Sequence, residues 1–252
     1  MILAMGCARE GPLAPGAVAL TGLALWASCG RGGYPELMVF AIPENLSPET
    51  YPMAWLVDTW RGAGLLEYEG VDAAGYLHEL RIDNDDHGPY LRLRSATWLS
   101  QEPAGAVDRE VPGGRMYAAL TKGQLWSSFE GYLRVSPNNL QGTEGRFVLE
   151  GMIATSAGHA MTWAGFIKGP QFQIVADAIA ATPTAASYTG GQIMGGYVES
   201  ELFYAYDMAA FGAPMRSYMA GRLQRLSDCP AAGEPATGGA GAPGAPEAHP
   251  ES

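Results

Sequence analysis

The chain lacks the features that mark several large classes of protein. Its 252 residues contain only three cysteines, Cys7, Cys29 and Cys229, which share no metal-ligand or CxxC spacing. This composition implies no disulfide framework and suits a reducing compartment. Lys and Arg number 15 against 26 Asp and Glu, which gives a formal net charge of -11. Because so acidic a surface repels phosphate groups, nucleic acids and anionic membranes are poor partners for it.

Catalytic and metal-binding motifs are also missing. The serines, carboxylates and histidines match no nucleophile elbow, zinc site or phosphate loop. Asp83, Asp85 and Asp86 cluster, but the glycine and the distal glutamate of a calcium loop are absent, so they indicate a solvated turn. Local motifs therefore assign no catalytic residue and no metal site.

Residues 1–37 differ in composition from the rest and have two interpretations. An apolar stretch over 14–27, too short to span a bilayer, leads to Cys29 and weakly resembles a lipoprotein-type signal. Alternatively, Met38 is the true start and the preceding residues are translated upstream sequence. We favour the second interpretation, which predicts a cytoplasmic protein, whereas the first predicts an exported lipoprotein anchored at Cys29. At the other end, residues 227–252 are rich in Ala, Gly and Pro and predict a disordered tail.

Glycine and aromatic residues are abundant, with 34 Gly, 12 Tyr and 6 Trp, and they accompany regularly spaced strand-like segments. Short strands without intervening helices predict an all-β fold, either an antiparallel barrel or a sandwich. We favour a lipocalin-like barrel of about ten strands over residues 44–226, because a closed barrel leaves no exposed edge. The segments are 59–69, 75–82, 90–99, 129–135, 146–155, 159–167, 172–181, 187–198 and 201–208, while 215–226 is either a last strand or a short helix.

Three local features are predicted within or beside this barrel. Ser47 and the proline after it predict a short helix within residues 44–57, with Ser47 as its cap. Residues 102–125 are irregular and predict a long excursion, which could cover the barrel mouth. Gly190-Gly191 and Gly195-Gly196 predict sharp bends or bulges within one strand.

The stretch Asp58-Thr59-Trp60-Arg61-Gly62-Ala63-Gly64 opens the strand-rich region. Trp60 is a large apolar plug that could close one end of a barrel. Gly62 and Gly64 lie two residues apart and therefore share one face of a strand. Glycines on one strand face mark a place where another backbone or a ligand comes close, or where strands bend.

This stretch resembles the GxWxGxG signature of the nitrobindins, haem-binding β-barrels of the fatty-acid-binding-protein type, with Asp58 in place of the first glycine. The resemblance extends over roughly residues 44–226. Four further stretches match the family in the same order: Gly131-Tyr132-Leu133-Arg134-Val135, Ala181-Thr182-Pro183-Thr184-Ala185, Leu202-Phe203-Tyr204-Ala205-Tyr206-Asp207-Met208-Ala209, and the closing segment Gly212-Ala213-Pro214-Met215-Arg216-Ser217-Tyr218-Met219-Ala220-Gly221-Arg222-Leu223.

The resemblance implies a solvent-exposed ferric haem b that binds nitric oxide and isomerises peroxynitrite to nitrate. In the family a histidine of the closing segment holds the iron, and the matching position here is Tyr218. Imidazole supplies a neutral nitrogen ligand, whereas tyrosine binds ferric iron only as phenolate and has a free pKa of about 10. The chain therefore resembles a divergent ferric nitrobindin-like member that lacks the axial histidine.

Three functions follow from this departure. The first is a barrel that has lost the haem ligand and the catalysis and binds a small apolar molecule. The second is a ferric-haem protein that uses Tyr218 as ligand and keeps nitric oxide or peroxynitrite chemistry. The third is a non-haem carrier of lipid-like molecules. A barrel-mouth aromatic without a ligand role is the alternative interpretation of Tyr218.

Other residues could contribute to such a cavity. Three histidines could substitute for the missing ligand: His78 lies in a strand, His87 in a turn, and His159 at a strand start where it could face the barrel mouth. A solvated loop residue is the simpler interpretation of His159. Six methionines could line a soft cavity, although core filler is the simpler interpretation. They are Met152, Met161, Met194, Met208, Met215 and Met219.

Overall fold

The computed structural model describes residues 45–84 and 88–227. Ten strands form one closed antiparallel barrel in which each strand pairs with its neighbours in the chain and the last pairs with the first. This confirms the all-β prediction. The strands are β1 Asp58–Tyr68, β2 Val71–Asn84, β3 Leu91–Ser100, β4 Lys122–Val135, β5 Arg146–Thr155, β6 His159–Lys168, β7 Gln171–Ala181, β8 Tyr188–Val198, β9 Glu201–Ala210 and β10 Arg216–Arg225, with one α-helix, α1 Gly113–Ala119.

Some of the expectations concern residues outside the described ranges. Both interpretations of residues 1–37 fall there, as does the predicted tail apart from Ser227. His87 and its neighbours Asp85 and Asp86 fall there too. Among the described residues, no helix has the length and apolar character needed to cross a membrane.

Successive side chains along a strand point alternately into the barrel and to its outer face. On β2, His78, Leu80 and Ile82 face the interior cavity, whereas Leu77 packs outside against Met116 of α1. This two-residue period is what a pleated strand with two different faces requires. Because the sheet closes on itself, it leaves no unpaired edge along its ten strands.

Residues 215–226, for which the sequence allowed either a strand or a short helix, contain strand β10. It pairs with β9 on one side and with β1 on the other, and so completes the barrel. Its buried residues, Met219, Leu223 and Arg225, are separated by more accessible neighbours, which fits this position.

A nine-residue 3-10 helix, Pro48–Leu56, closes one end of the barrel. Its proline start and its N-cap residue, Ser47, are as predicted, but the Ser47 side chain makes no capping hydrogen bond. The Ser47 hydroxyl donates to the Glu49 carboxylate instead, because that acceptor lies only two residues away. Trp60 is fully buried beneath this helix and donates its indole N–H to the Leu56 carbonyl oxygen at 2.8 Å.

The excursion between β3 and β4 packs on the outer wall of the barrel. Met116 and Leu120 bury the outward side chains of Ala63 and Leu77 there. Residues 122–125, which were predicted to belong to the excursion, instead begin β4, because they pair with β3. No residue of 102–125 lines the interior cavity, so the excursion does not cover it.

The signature glycines allow β10 to approach β1 closely. A Cβ atom at Gly62 would lie 2.7 Å from the Leu223 Cα atom, and one at Gly64 would lie 2.6 Å from Cζ of Tyr76. Real Cβ atoms essentially never come so near. The predicted close approach of a neighbouring backbone is therefore confirmed, and the ring of Tyr76 uses the same space.

The two glycine pairs of β8 behave differently. The register with β9 shifts between Tyr188 and Gly190, which confirms a bulge at the first pair. At the second pair the register with both neighbouring strands is regular, so no bulge occurs there. Gly195 instead leaves room for the Phe172 ring, whose Cε1 and Cζ atoms would lie 2.6 Å from an added Cβ.

Candidate functional site

The barrel encloses a cavity of about 350 Å³. Its lining is mainly aliphatic and aromatic, with hydroxyl, imidazole and indole groups as the polar part. Within residues 45–84 and 88–227, no Asp, Glu, Lys or Arg side chain contributes to the lining. The interior therefore favours uncharged molecules, since a charge placed there would find no counterion.

Tyr218 lines this cavity because of a local irregularity in β10. The register with β9 shifts between Ser217 and Met219, which makes Tyr218 the extra residue of a β-bulge. A bulge re-aims a side chain out of the regular alternation. As a result, Tyr218 and Met219 both face the cavity, although they are consecutive residues.

The Tyr218 hydroxyl is held as a neutral phenol. Its ring packs edge-to-face against Tyr68 and Tyr206, with centroids 5.8 Å and 5.5 Å away. Burial raises the pKa of Tyr218 above its ordinary value, while the indole N–H of Trp126, which donates to the Tyr218 oxygen, acts in the opposite direction. At neutral pH this group is therefore protonated and is not a phenolate.

His78 is a buried histidine, although the sequence had placed it only in a strand, with no indication of burial. It is 7% exposed, with Nδ1 2.8 Å from the Tyr204 hydroxyl and Nε2 2.8 Å from the Ser95 hydroxyl. Burial lowers the pKa of His78 to about 4. Because both ring nitrogens are engaged, His78 has none to offer a metal. The alternation of His78 with Leu77 and Glu79 was the signal that could have placed it inside.

His159 also lines the cavity, at the start of β6. Its Nε2 lies 2.9 Å from the carbonyl oxygen of Ala186, and its ring centroid lies 5.5 Å from that of Tyr188. The Ala186 carbonyl oxygen can only accept, so Nε2 is the protonated nitrogen. His159 is thus tied to the loop before β8, where the sequence had only suggested a position near a barrel mouth.

Three aromatic residues that the sequence did not single out converge at Gly191. A Cβ atom there would lie 2.9 Å from the Tyr206 ring and 3.2 Å from the Trp163 ring, and would also meet the Tyr188 hydroxyl. Tyr206 donates its hydroxyl hydrogen to the Tyr188 oxygen at 3.0 Å. Trp163 is 3% exposed, and its buried indole N–H has no hydrogen-bond partner among the described residues.

The methionines divide into two groups. Met161, Met208 and Met219 line the cavity. The expectation that the others line a cavity or fill the core is wrong, because they project to the surface from the opposite strand faces or from a turn. These are Met152, Met194 and Met215, with exposures of 53%, 43% and 48%.

No metal centre is evident in the part of the chain that the structure describes. The acidic and metal-binding side chains there form no group of three or more that could hold an ion. Asp83 of the predicted turn pairs instead with Arg81 and Arg92, at 2.9 Å in each case.

Comparisons with known proteins extend over the whole barrel. The family model described as THAP4-like, heme-binding beta-barrel domain matches residues 49–225. A Beutenbergia cavernae protein named ferric nitrobindin-like protein is 34% identical over 216 residues, which cover 75% of this chain and 100% of that protein. A Nocardioides sp. protein named peroxynitrite isomerase is 32% identical over 188 residues, covering 75% of this chain and 99% of the relative.

A solved structure supports the same architecture. The crystal structure of Rv2717c from M. tuberculosis superposes with a TM-score of 0.55 at 22% identity, covering 71% of this chain and 98% of that one. At this identity the likeness shows a shared fold.

Proposed function

This chain belongs to the THAP4-like, heme-binding β-barrel family, the nitrobindins, and we propose that it binds a small apolar molecule without the family's histidine-held haem. One observation carries the proposal. Tyr218, which we match to the family's axial histidine on the resemblance of the closing segment alone, faces the cavity as a phenol whose oxygen accepts a hydrogen bond from Trp126. The peroxynitrite isomerase activity that the relatives' names indicate is then lost here.

Neither Tyr218, at the position we match to the axial histidine, nor His78 fits a haem ligated in the family's way; His159 has only Nε2 engaged and lies on β6, outside the closing segment. Ferric iron takes an imidazole nitrogen or a phenolate oxygen, and burial keeps Tyr218 protonated. His78 has both nitrogens engaged with hydroxyl groups. Among the described lining residues there is also no cation to pair with the carboxylates of a haem.

Apolar burial supplies the affinity in this proposal. A ligand that fills the cavity removes its own apolar surface and that of the lining from water, at roughly 25 cal/mol per Å². The pocket is concave and mostly apolar with a few polar groups, which is the usual form of a small-molecule site. We also propose a cytoplasmic location, on the strength of the composition alone.

A second candidate function has one observation in its favour. The Trp126 indole donates to the Tyr218 oxygen, and such a hydrogen bond stabilises a phenolate relative to a phenol. Tyr218 could thereby become a ligand for ferric haem, and nitric oxide or peroxynitrite chemistry could be retained. Burial opposes this candidate, and its larger effect on the pKa of Tyr218 places the candidate second.

Titration with hemin and with the neutral dye Nile red tests the proposal. Purified protein should enhance and blue-shift the Nile red emission but give no stoichiometric hemin spectrum. A phenolate-type charge-transfer band that disappears in Tyr218→Phe would overturn the proposal in favour of the second candidate. Failure to bind Nile red would count against apolar ligand binding altogether.

A further inference from the structure

The inner wall of β3 and β4 carries two hydroxyl groups that the fold itself does not use. Thr97 and Ser127 both line the cavity, and neither hydroxyl has a hydrogen-bond partner among the described residues. Neither oxygen belongs to the fully buried, unpartnered atoms of those residues, so both keep accessible surface. Thr97 is only 3% exposed, and its accessible surface faces the cavity that it lines.

The strand register places these two side chains next to each other. Thr97 lies directly opposite Ser127 in the pairing of β3 with β4. The Cβ atoms of directly opposite residues are roughly 4.5 to 5.5 Å apart. One polar atom of a molecule in the cavity can therefore contact both hydroxyl groups.

The polar neighbour on the other side of Thr97 is already engaged. His78 lies opposite Thr97 in the pairing of β2 with β3, but its ring nitrogens contact the hydroxyl groups of Tyr204 and Ser95 at 2.8 Å. A hydroxyl group has one hydrogen to donate and two lone pairs that accept. Thr97 and Ser127 therefore offer both a donor and an acceptor to a ligand.

The rest of the lining restricts what this polar atom can be attached to. Leu56 of the 3-10 helix lines the cavity together with Ile82 and Leu133, and the three belong to one apolar cluster. No carboxylate, ammonium or guanidinium group lines the cavity in the part of the chain that the structure describes. A charged head group would lose its hydration there without gaining a counterion. An alcohol is neutral and, like the two protein hydroxyls, both donates and accepts.

From these observations we propose that the cavity selects a neutral, mostly apolar alcohol whose hydroxyl group is seated between Thr97 and Ser127. Its apolar body then packs against the aliphatic lining near the 3-10 helix. This inference rests on the proposed function, the binding of a small apolar molecule, and narrows its chemical class. Thr97 and Ser127 are the residues that determine this preference.

Displacement of Nile red by two molecules of matched shape tests the inference. 2-(Naphthalen-2-yl)propan-2-ol carries a hydroxyl group where 2-tert-butylnaphthalene carries a methyl group. Thr97→Val makes the same exchange in the protein. We expect the ratio of the alcohol's affinity to the hydrocarbon's affinity to fall about fivefold in Thr97→Val, and by a similar factor in Ser127→Ala.

The comparison of two ligands in one protein cancels any change that the substitution makes to the shape of the cavity. Thr162→Val is the matched control, because Thr162 lies on β6 outside the cavity lining, and it should leave the ratio unchanged. Ser127→Ala tests the same preference if Thr97→Val fails to fold.

The outcomes are distinguishable. Wild-type protein that does not bind Nile red would overturn the proposed function, and this inference with it. Nile red binding with an equal affinity ratio in the wild type, Thr97→Val and Ser127→Ala would overturn only the inference, since water then satisfies the two hydroxyl groups. Binding of the anion 2-naphthoate as tight as that of the alcohol at pH 7 would also overturn it, because the head group would not need to be neutral.

Discussion

His78 is a neutral imidazole held inside the barrel by two hydroxyl groups. Its pKa is about 4 in the fold, against an ordinary value of 6.5. Between these two pKa values the imidazole of the unfolded chain binds a proton, whereas that of the folded barrel does not. Lowering the pH therefore stabilises the unfolded state relative to the folded state. The stability that neutral His78 provides is complete above pH 6.5 and is lost progressively towards pH 4.

Comparison with His78→Gln isolates this effect, because the carboxylates titrate in both proteins. Between pH 7 and 4 we expect the wild type to lose about 3 kcal/mol more unfolding free energy than the variant. Urea unfolding at several pH values measures the two curves. Parallel curves would show that His78 does not titrate as its burial requires.

The hydroxyl groups of Tyr204 and Tyr218 have partners that differ in burial, so removing each hydroxyl should change the stability by a different amount. The Tyr204 hydroxyl lies 2.8 Å from both the Tyr76 hydroxyl and the His78 ring, all of them buried or nearly so. Tyr204→Phe should lower the unfolding free energy by about 2 kcal/mol, since it strands buried partners. Tyr218→Phe strands only Trp126, which is 36% exposed and can turn to water.

We therefore expect Tyr218→Phe to cost less than about 1 kcal/mol in the same urea experiment. A larger loss than that of Tyr204→Phe would mean that Tyr218 is a structural residue of the barrel. Such a result would weaken the assignment of Tyr218 to the ligand site.

For single residues, the sequence predicted where a side chain lies better than it predicted which other side chains it contacts. The closing motif pointed to Tyr218, whereas the strand alternation that places His78 on the inner face was overlooked. The hydrogen bond from Trp126 joins residues 92 positions apart and depends on how the barrel closes. The surroundings of Trp163, whose indole N–H has no hydrogen-bond partner among the described residues, depend on the closed barrel in the same way.

Among the elements, the pairing of β1 with β10 depends on a particular glycine. Gly62 faces β10, where an added Cβ would lie 2.7 Å from the Leu223 Cα atom. Backbone atoms cannot move aside as a flexible side chain can, so Gly62→Ala must displace one of the two strands.

We predict that Gly62→Ala lowers the unfolding free energy by about 1 to 3 kcal/mol or more. Gly190→Ala is the matched control, because a Cβ there meets only the Met215 Cε atom, at 3.4 Å. Thermal or urea denaturation of both variants gives the comparison. Equal stability of the two would show that the close approach of β10 to β1 carries no steric constraint.

Element boundaries were predictable where the pattern was periodic and less so elsewhere. β5 was predicted at its observed bounds because Arg146–Thr155 lies between polar turns. The start of β4 was missed because its pairing partner on β3, and not its own composition, makes residues 122–125 a strand. The bulge that turns Tyr218 inward likewise depends on the register with β9.

At the scale of the whole molecule, the barrel and its chemistry are separable. The family's fold is retained over all ten strands, with the signature glycines and Trp60 at the closing seam. In the function that we propose, the site differs at Tyr218, the position that we match to the family's iron-binding histidine. Since one fold hosts many functions, the function must be argued from that site.

We propose that Tyr218 stands in an intact pocket, at the position where the family has its iron-binding histidine. Hemin titration of Tyr218→His beside the wild type, followed by absorption spectroscopy, tests this most directly. We predict a stoichiometric histidine-ligated spectrum in the variant and at least about tenfold tighter hemin binding than in the wild type. A folded Tyr218→His variant that binds hemin no better than the wild type would contradict the claim.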